Sequence, residues 1–247
     1  MTVAIIVTNY NMPEKTDAIY DAITRRAYCD HELIIVDNGS DLQPPSRYSR
    51  VLLEKNVQTT GGWLAGLEYA DSLEKKFDYY MFLITSMSFD DGDYDPITPM
   101  VEFMDANPDA VGIHPSLTPD STTSWGHLYT RGGNEPRRTW MIDNICSMYR
   151  ADWFDSIGRF DPEMKYAWGI DLETCFLART HKKSLWVDER VKVKKVTNIG
   201  YIMDRMNMAA DTRSRLAGDN MRYVLFKKYG PLYWEMMTVA NVRNEWK

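Results

Sequence analysis

Short apolar runs alternate with longer stretches in which apolar and polar positions mix at helical spacing. Thr2 to Val7 is continuously apolar after its first residue, as expected of a strand buried on both faces. Asn11 and Pro13 then open a helical stretch to about Ala27, since Asn suits an N-cap and Pro the first turn. Leu33 to Val36 predicts a second buried strand, ended by the turn residues Asp37-Asn38-Gly39-Ser40. Val51 to Leu53 predicts a third strand. Gly61-Gly62 precede a helix running to about Lys75, and Tyr79 to Ile84 predicts a fourth strand. This β-α-β-β-α-β order predicts an α/β fold with a mostly parallel central sheet flanked by helices.

The later chain is less regular. Pro96 to Asn107 predicts a helix and Ala110 to His114 a strand. Residues 115–140, rich in Pro, Ser, Thr, Gly and Arg, predict one long excursion. Ile142 to Met148 predicts a strand, Ile170 to Lys182 a helix, and Leu185 to Val187 and Val191 to Val196 two further strands. The last fifty residues are mostly helical in pattern, with Gly230-Pro231 separating two helices. No repeat or linker divides the 247 residues, so one domain is expected over 1–247, with a C-terminal helical extension over about 201–247.

Composition narrows the function classes. Lys and Arg number 29 against 35 Asp and Glu, a net charge of −6 that argues against a general nucleic-acid binder. The charge is uneven. From Arg190 to Gly230 there are ten Lys/Arg and three Asp/Glu, including Arg205, Arg213, Arg215, Arg222, Lys227 and Lys228. Such a bias suits a diphosphate, an anionic acceptor or peripheral contact with a membrane surface, and equally a solvated helix face. The 3 Cys form no CxxC and the 4 His no HExxH, so neither a disulfide framework nor a zinc site is indicated. No apolar run approaches the ~18 residues of a membrane span. Met1 to Val7 lacks a cationic, long-cored leader pattern, and a cytoplasmic location is expected.

In open α/β sheets, ligands bind at the carboxyl ends of the strands. Here those ends carry Thr8-Asn9-Tyr10, Asp37-Asn38, Asn56 and Thr85-Ser86. Each group alone is equally a turn former, but four at successive strand ends predict a cleft for a nucleotide base and ribose. No GxGxxG or GxxxxGK[ST] occurs, so neither a dinucleotide fold nor a P-loop is indicated.

Several segments together resemble glycosyltransferase family 2, the inverting nucleotide-sugar transferases of GT-A fold. They are Val3 to Asn11, Glu32 to Ser40, Lys55-Asn56 through Gly61-Gly62-Trp63 to Gly66, Ile157 to Asp161, and Trp168-Gly169-Ile170-Asp171-Leu172-Glu173. The resemblance spans roughly residues 3–200. It implies a nucleotide-sugar-binding half over about 1–95 and an acceptor-binding half over about 96–200. It implies a nucleotide site from Thr8, Asn9, Tyr10, Asp37, Asn38, Asn56, Gly61, Gly62, Trp63, Thr85 and Ser86. Asp37 would accept from the base, typically uracil. It places Asp171 as the general base, with Ile170 where the family has Glu, and Trp168, Gly169, Glu173 and Arg137 toward the acceptor. The alternative for Asp171 is a carboxylate favoured by the helix dipole.

One departure stands out. The family usually carries Asp-x-Asp after the fourth strand, holding Mn²⁺ or Mg²⁺ against the diphosphate, whereas this chain has Leu83-Ile84-Thr85-Ser86-Met87. The late-strand His of the family falls on or beside Lys195. Lys195, with Lys194, would then stand in for the cation toward the diphosphate. The alternative is a solvated strand edge blunted by lysines. The acidic stretch Asp90 to Asp95 keeps a metal open, although it lacks the late Glu of an EF-hand loop. The expected activity is therefore inverting transfer of a sugar, most simply UDP-linked, to a hydroxyl acceptor such as a glycan. The rivals are a transferase acting on modified DNA bases, a nucleotidyltransferase, and a non-catalytic nucleotide-sugar-binding module.

Overall fold

A computed structural model describes residues 1–89, 94–196 and 209–238. The strands are β1 (Thr2–Asn9), β2 (Asp30–Asp37), β3 (Ser49–Leu52), β4 (Tyr79–Ile84), β5 (Met87–Ser88), β6 (Ala110–Leu117), β7 (Arg137–Thr139), β8 (Cys146–Arg150) and β9 (Ser184–Lys195). The helices are α1 (Pro13–Arg26), α2 (Gln58–Ser72), α3 (Thr98–Ala106), α4 (Ala151–Ser156), α5 (Ile170–Thr180), α6 (Ala210–Tyr229) and α7 (Tyr233–Thr238).

β1 lies between β2 and β4 and is parallel to both, and β3 extends the parallel set beyond β2. Successive side chains of β1 enter opposite apolar layers. Val3, Ile5 and Val7 pack with Ile19 and Ile23 of α1 and Met100 and Met104 of α3. Ala4 and Ile6 pack with Trp63 and Leu67 of α2, in a layer that also takes Leu172 of α5 and Leu225 of α6. Burial on both faces is why this strand is an unbroken apolar run. The sheet continues through β8, antiparallel to both β4 and β6, to β9, which is parallel to β6. Among the described residues no helix is long and apolar enough to cross a membrane.

The structure departs from the sequence pattern in four places. Gly61 and Gly62 lie inside α2 rather than before it. A Cβ on Gly62 would sit 2.5 Å from Thr8 Cγ2, so its small size serves close packing of α2 on β1. β8 begins at Cys146 rather than Ile142, leaving residues 142–145 as a connection that faces a cavity. The two late strands are one: the register passes from Pro115 opposite Asp188 to Ser116 opposite Lys192, so residues 189–191 bulge out of β9 without ending it. The long excursion contains a 3₁₀ turn at Gly126–Leu128 and strand β7.

That bulge anchors the excursion. Glu189, 2% exposed, accepts from Thr130 Oγ1 at 2.7 Å, from the Arg131 N–H at 3.0 Å and from Arg137 Nε at 2.6 Å. Burial works against its charge, but Arg137, Thr130 and the Arg131 N–H outweigh burial and hold the carboxyl below its ordinary range. Glu189→Ala leaves Arg137 enclosed without its counter-charge. It is expected to destabilise the protein by about 3 kcal/mol, measured as a lowered urea midpoint at unchanged slope.

Candidate active site

A cavity of about 500 Å³ opens where β4 and β9 end, bounded by the connection before β8, the head of α5, and helices α2, α6 and α7. The chain enters α5 through a tight loop. Ala167 (φ 64°) and Gly169 (φ 91°) both adopt the left-handed region on either side of Trp168. A Cβ on Gly169 would lie 2.6 Å from Met221 Cγ of α6, so glycine answers both the dihedral and the close approach of that helix. Buried Thr60 ties this loop to α2. Its Oγ1 donates to the Met164 carbonyl at 2.5 Å and accepts from the Ala167 N–H at 3.1 Å, and its N–H donates to the Lys165 carbonyl at 3.1 Å.

This loop delivers Asp171 to the cavity wall, 8% exposed, in the first turn of α5. The Leu172 N–H donates to its Oδ1 at 2.9 Å. Removal from water, and then the charge of Asp143 in the same cavity, raise the Asp171 carboxyl to about 7 despite these N–H groups. Asp143 is itself raised by removal from water, against the pull of Lys195. Lys195 closes this group. It pairs with Met87 across β5 and β9, and the Val196 N–H donates to the Ser86 carbonyl at 2.8 Å. The segment after β4 and the end of β9 are thus neighbours in space. Neither segment supplies a carboxylate here: Lys195 lines this cavity, while Thr85 and Ser86 turn to a smaller depression beside α1. Among the described residues no group of three or more His, Cys, Asp or Glu is assembled to hold a metal. Asp90 to Asp93 lie outside the described residues, while Asp95 accepts from the N–H groups of Ile97 and Thr98 at the start of α3.

Of the residues singled out in the sequence, Trp63, Trp168, Gly169, Asp171 and Lys195 meet in this cavity. A second set forms a network at the ends of β1 and β2. Asp37 Oδ1 accepts from Asn9 Nδ2 and Ser40 Oγ, both at 2.7 Å, and its Oδ2 accepts from the Ser40 N–H at 3.0 Å. Asn38 Nδ2 donates to Asn56 Oδ1 at 3.3 Å and to the Gln58 carbonyl at 3.0 Å, and Tyr10 donates to Asp41 at 3.1 Å. Thr8 Oγ1 is buried without a hydrogen-bond partner. Thr85 and Ser86 line a smaller depression beside α1.

The remaining three residues are engaged elsewhere. Lys194 is paired with Asp120. Arg137 is held by Glu189 and donates to the carbonyls of His127 and Tyr129. Glu173 accepts from Tyr229 at 2.6 Å, pairs with Lys228, and lines a separate surface cavity. Asp143, Tyr166, Trp125 and Trp234 were not singled out by the sequence, and Arg213 figured only within the basic bias. The available signal for Asp143 was a carboxylate inside an otherwise apolar segment, Ile142 to Met148.

The raised carboxyl of Asp171 has a consequence for stability. In the unfolded chain the group ionises near its ordinary 3.8, while the folded chain holds its proton to about 7. Its contribution to stability is fully present below the unfolded value and is lost as pH rises through the folded one. The melting temperature of Asp171→Asn is therefore expected to gain on the wild type between pH 4 and 7 and hold that lead at higher pH. Thermal melts across this range check it.

No family model matches the chain, and no curated protein is similar to it in sequence. Solved structures are similar in fold. The mannosyltransferase PcManGT of Pyrobaculum calidifontis, in complex with GDP-Man and Mn²⁺, matches with a TM-score of 0.61 at 12% identity, over 96% of this chain and 73% of its own. TarS of S. aureus, residues 1–349, matches with a TM-score of 0.60 at 11% identity, over 93% and 74%. GalNAc-T7, with UDP, GalNAc and Mn²⁺, matches with a TM-score of 0.61 at 11% identity over 80% of this chain, which spans 44% of GalNAc-T7. By strand order and by these superpositions, the chain has the GT-A fold.

Proposed function

We propose that the protein is an inverting glycosyltransferase. It moves a sugar from a nucleoside-diphosphate donor, UDP-linked, to a hydroxyl of a glycan acceptor. The reading rests on Asp171, an enclosed carboxyl at the head of α5 whose proton affinity is raised to near neutrality. A general base works best when its pKa lies near the operating pH. The acceptor hydroxyl gives its proton to Asp171 while its oxygen attacks the anomeric carbon. The bond from that carbon to the diphosphate breaks on the opposite face, and its electron pair leaves with the nucleoside diphosphate. One displacement inverts the configuration.

Lys195 supplies positive charge toward the departing diphosphate, in the place where the resembling family would hold a cation. Catalysis without a metal is accordingly part of the proposal. GalNAc-T7 and PcManGT, whose structures contain Mn²⁺, are the contrasting cases. The base and ribose are assigned to the strand-end network, where Asp37 Oδ2 keeps a lone pair for an imide N–H. Trp168, 43% exposed beside Asp171, offers a flat face for an acceptor sugar.

Asp171→Asn is expected to lower transfer about 10³-fold while UDP still binds, and unchanged transfer would remove Asp171 as the base. In the wild type, kcat/KM is expected to rise with pH through about 7, as the base loses its proton. EDTA is expected to leave activity unchanged. Activity lost to EDTA and restored by Mn²⁺ would overturn metal independence. Thermal shifts with UDP-, GDP- and dTDP-sugars, each with and without EDTA, test the donor class, because a bound donor raises the melting temperature by mass action.

A further inference from the structure

Several side-chain cations in the second half of the chain are neutralised by a carboxylate. Arg137 pairs with Glu189, Arg159 with Asp71 and Asp155, Arg190 with Asp188, Lys194 with Asp120, Lys227 with Glu163, and Lys228 with Asp161 and Glu173. Lys195 and Arg213 differ. Both line the cavity, and neither forms an ion pair among the described residues. Arg213 Nε is buried and has no hydrogen-bond partner. Its titratable neighbour is Tyr166, not either acid of the cavity.

A half-buried guanidinium with an orphaned N–H is unfavourable on its own, because water is lost and nothing replaces it. Its place adds to this. Arg213 lies in the first turn of α6, a 20-residue helix, where the helix dipole disfavours a cation and favours an anion. An anion carrying several acceptor oxygens would relieve both terms, and a guanidinium fork binds such a group in two places at once.

We propose that Arg213 is a diphosphate-binding residue, the second cation beside Lys195, so that α6 completes the donor site. This rests on the donor reading above and extends it to a helix outside the segments that carry the resemblance. The assignment also explains why α6 is held against the head of α5 through Met221 and Gly169: the same contact that shapes the base loop places the guanidinium in the cavity.

The test is titration with inorganic pyrophosphate, and separately with UDP, in EDTA. The intrinsic fluorescence of Trp63, Trp125, Trp168 and Trp234 in the cavity wall provides the signal. Arg213→Gln and Arg213→Ala are expected to bind pyrophosphate at least tenfold more weakly than the wild type. Their unliganded melting temperatures should be equal or higher, since an unpaired cation has been removed. Wild-type affinity in Arg213→Gln overturns the proposal. So does a loss of affinity accompanied by a lowered melting temperature in both variants, which marks a structural role. Loss in Lys195→Ala but not in Arg213→Gln removes Arg213 and leaves the donor reading standing. Loss in Arg213→Gln, in a chain that transfers no sugar from any donor, keeps the anion site and removes the transferase reading. A wild type that binds neither pyrophosphate nor UDP removes both.

Discussion

Keeping a buried carboxylate ionisable in the wall of a cavity that carries five aromatic side chains is the constraint around which the site is arranged. Asp171 loses water by its place at the head of α5, and the nearby charge of Asp143 adds to the penalty. Two features work in the other direction. Backbone N–H groups of the first helical turn point at the carboxylate, and Lys195 offsets the charge on Asp143. The carboxyl sits near neutrality because the raising influences, burial first, outweigh the lowering ones. Shifting any one of them moves the proton affinity of the pair, since two interacting acids titrate as a unit.

Such a balance requires that the carboxyl not drift, and several contacts with no charge of their own provide this. Thr60 fastens the loop before α5 to α2 by three hydrogen bonds. Gly169 takes a backbone conformation that other residues resist, and its missing side chain leaves room for Met221 of α6. The site is therefore held from two sides by helices far apart in sequence, α2 and α6. Active groups kept in place by packed surroundings need little rearrangement when charge develops.

The polar residues at the ends of β1 and β2 behave differently from those in the cavity. Asn9, Asp37 and Ser40 satisfy one another, and Asn11 Oδ1 accepts from three successive N–H groups, of Asp41, Leu42 and Gln43. This network makes a rigid rim whose shape does not wait for a ligand. The cavity beside it holds Lys195 and Arg213, neither in an ion pair among the described residues, and the two acids Asp143 and Asp171. Under the proposed function, the hydrogen-bonded rim recognises the base and the charged cavity handles the leaving diphosphate.

The parallel core and its strand ends were readable in the chain because their signals are local. Two-sided burial demands unbroken apolar runs such as Val3 to Val7, and the turn residues that end them are neighbours in sequence. Asp171 was readable for the same reason, standing at the start of a periodic helix within a recognisable segment. The sequence also showed that Asp-x-Asp was missing and that a lysine stood in the late position. Tertiary structure alone decided that Lys195 meets the end of β4, that Glu189 rather than the cavity claims Arg137, and that Glu173 faces a different surface. It alone brought Asp143 and Arg213 into the cavity that Asp171 lines. Their relation depends on the start of β8, the bulge in β9 and the docking of α6, each set by pairing or packing between residues tens of positions apart. Local periodicity does not encode such distances, and only the folded chain makes a charge at one position the environment of another.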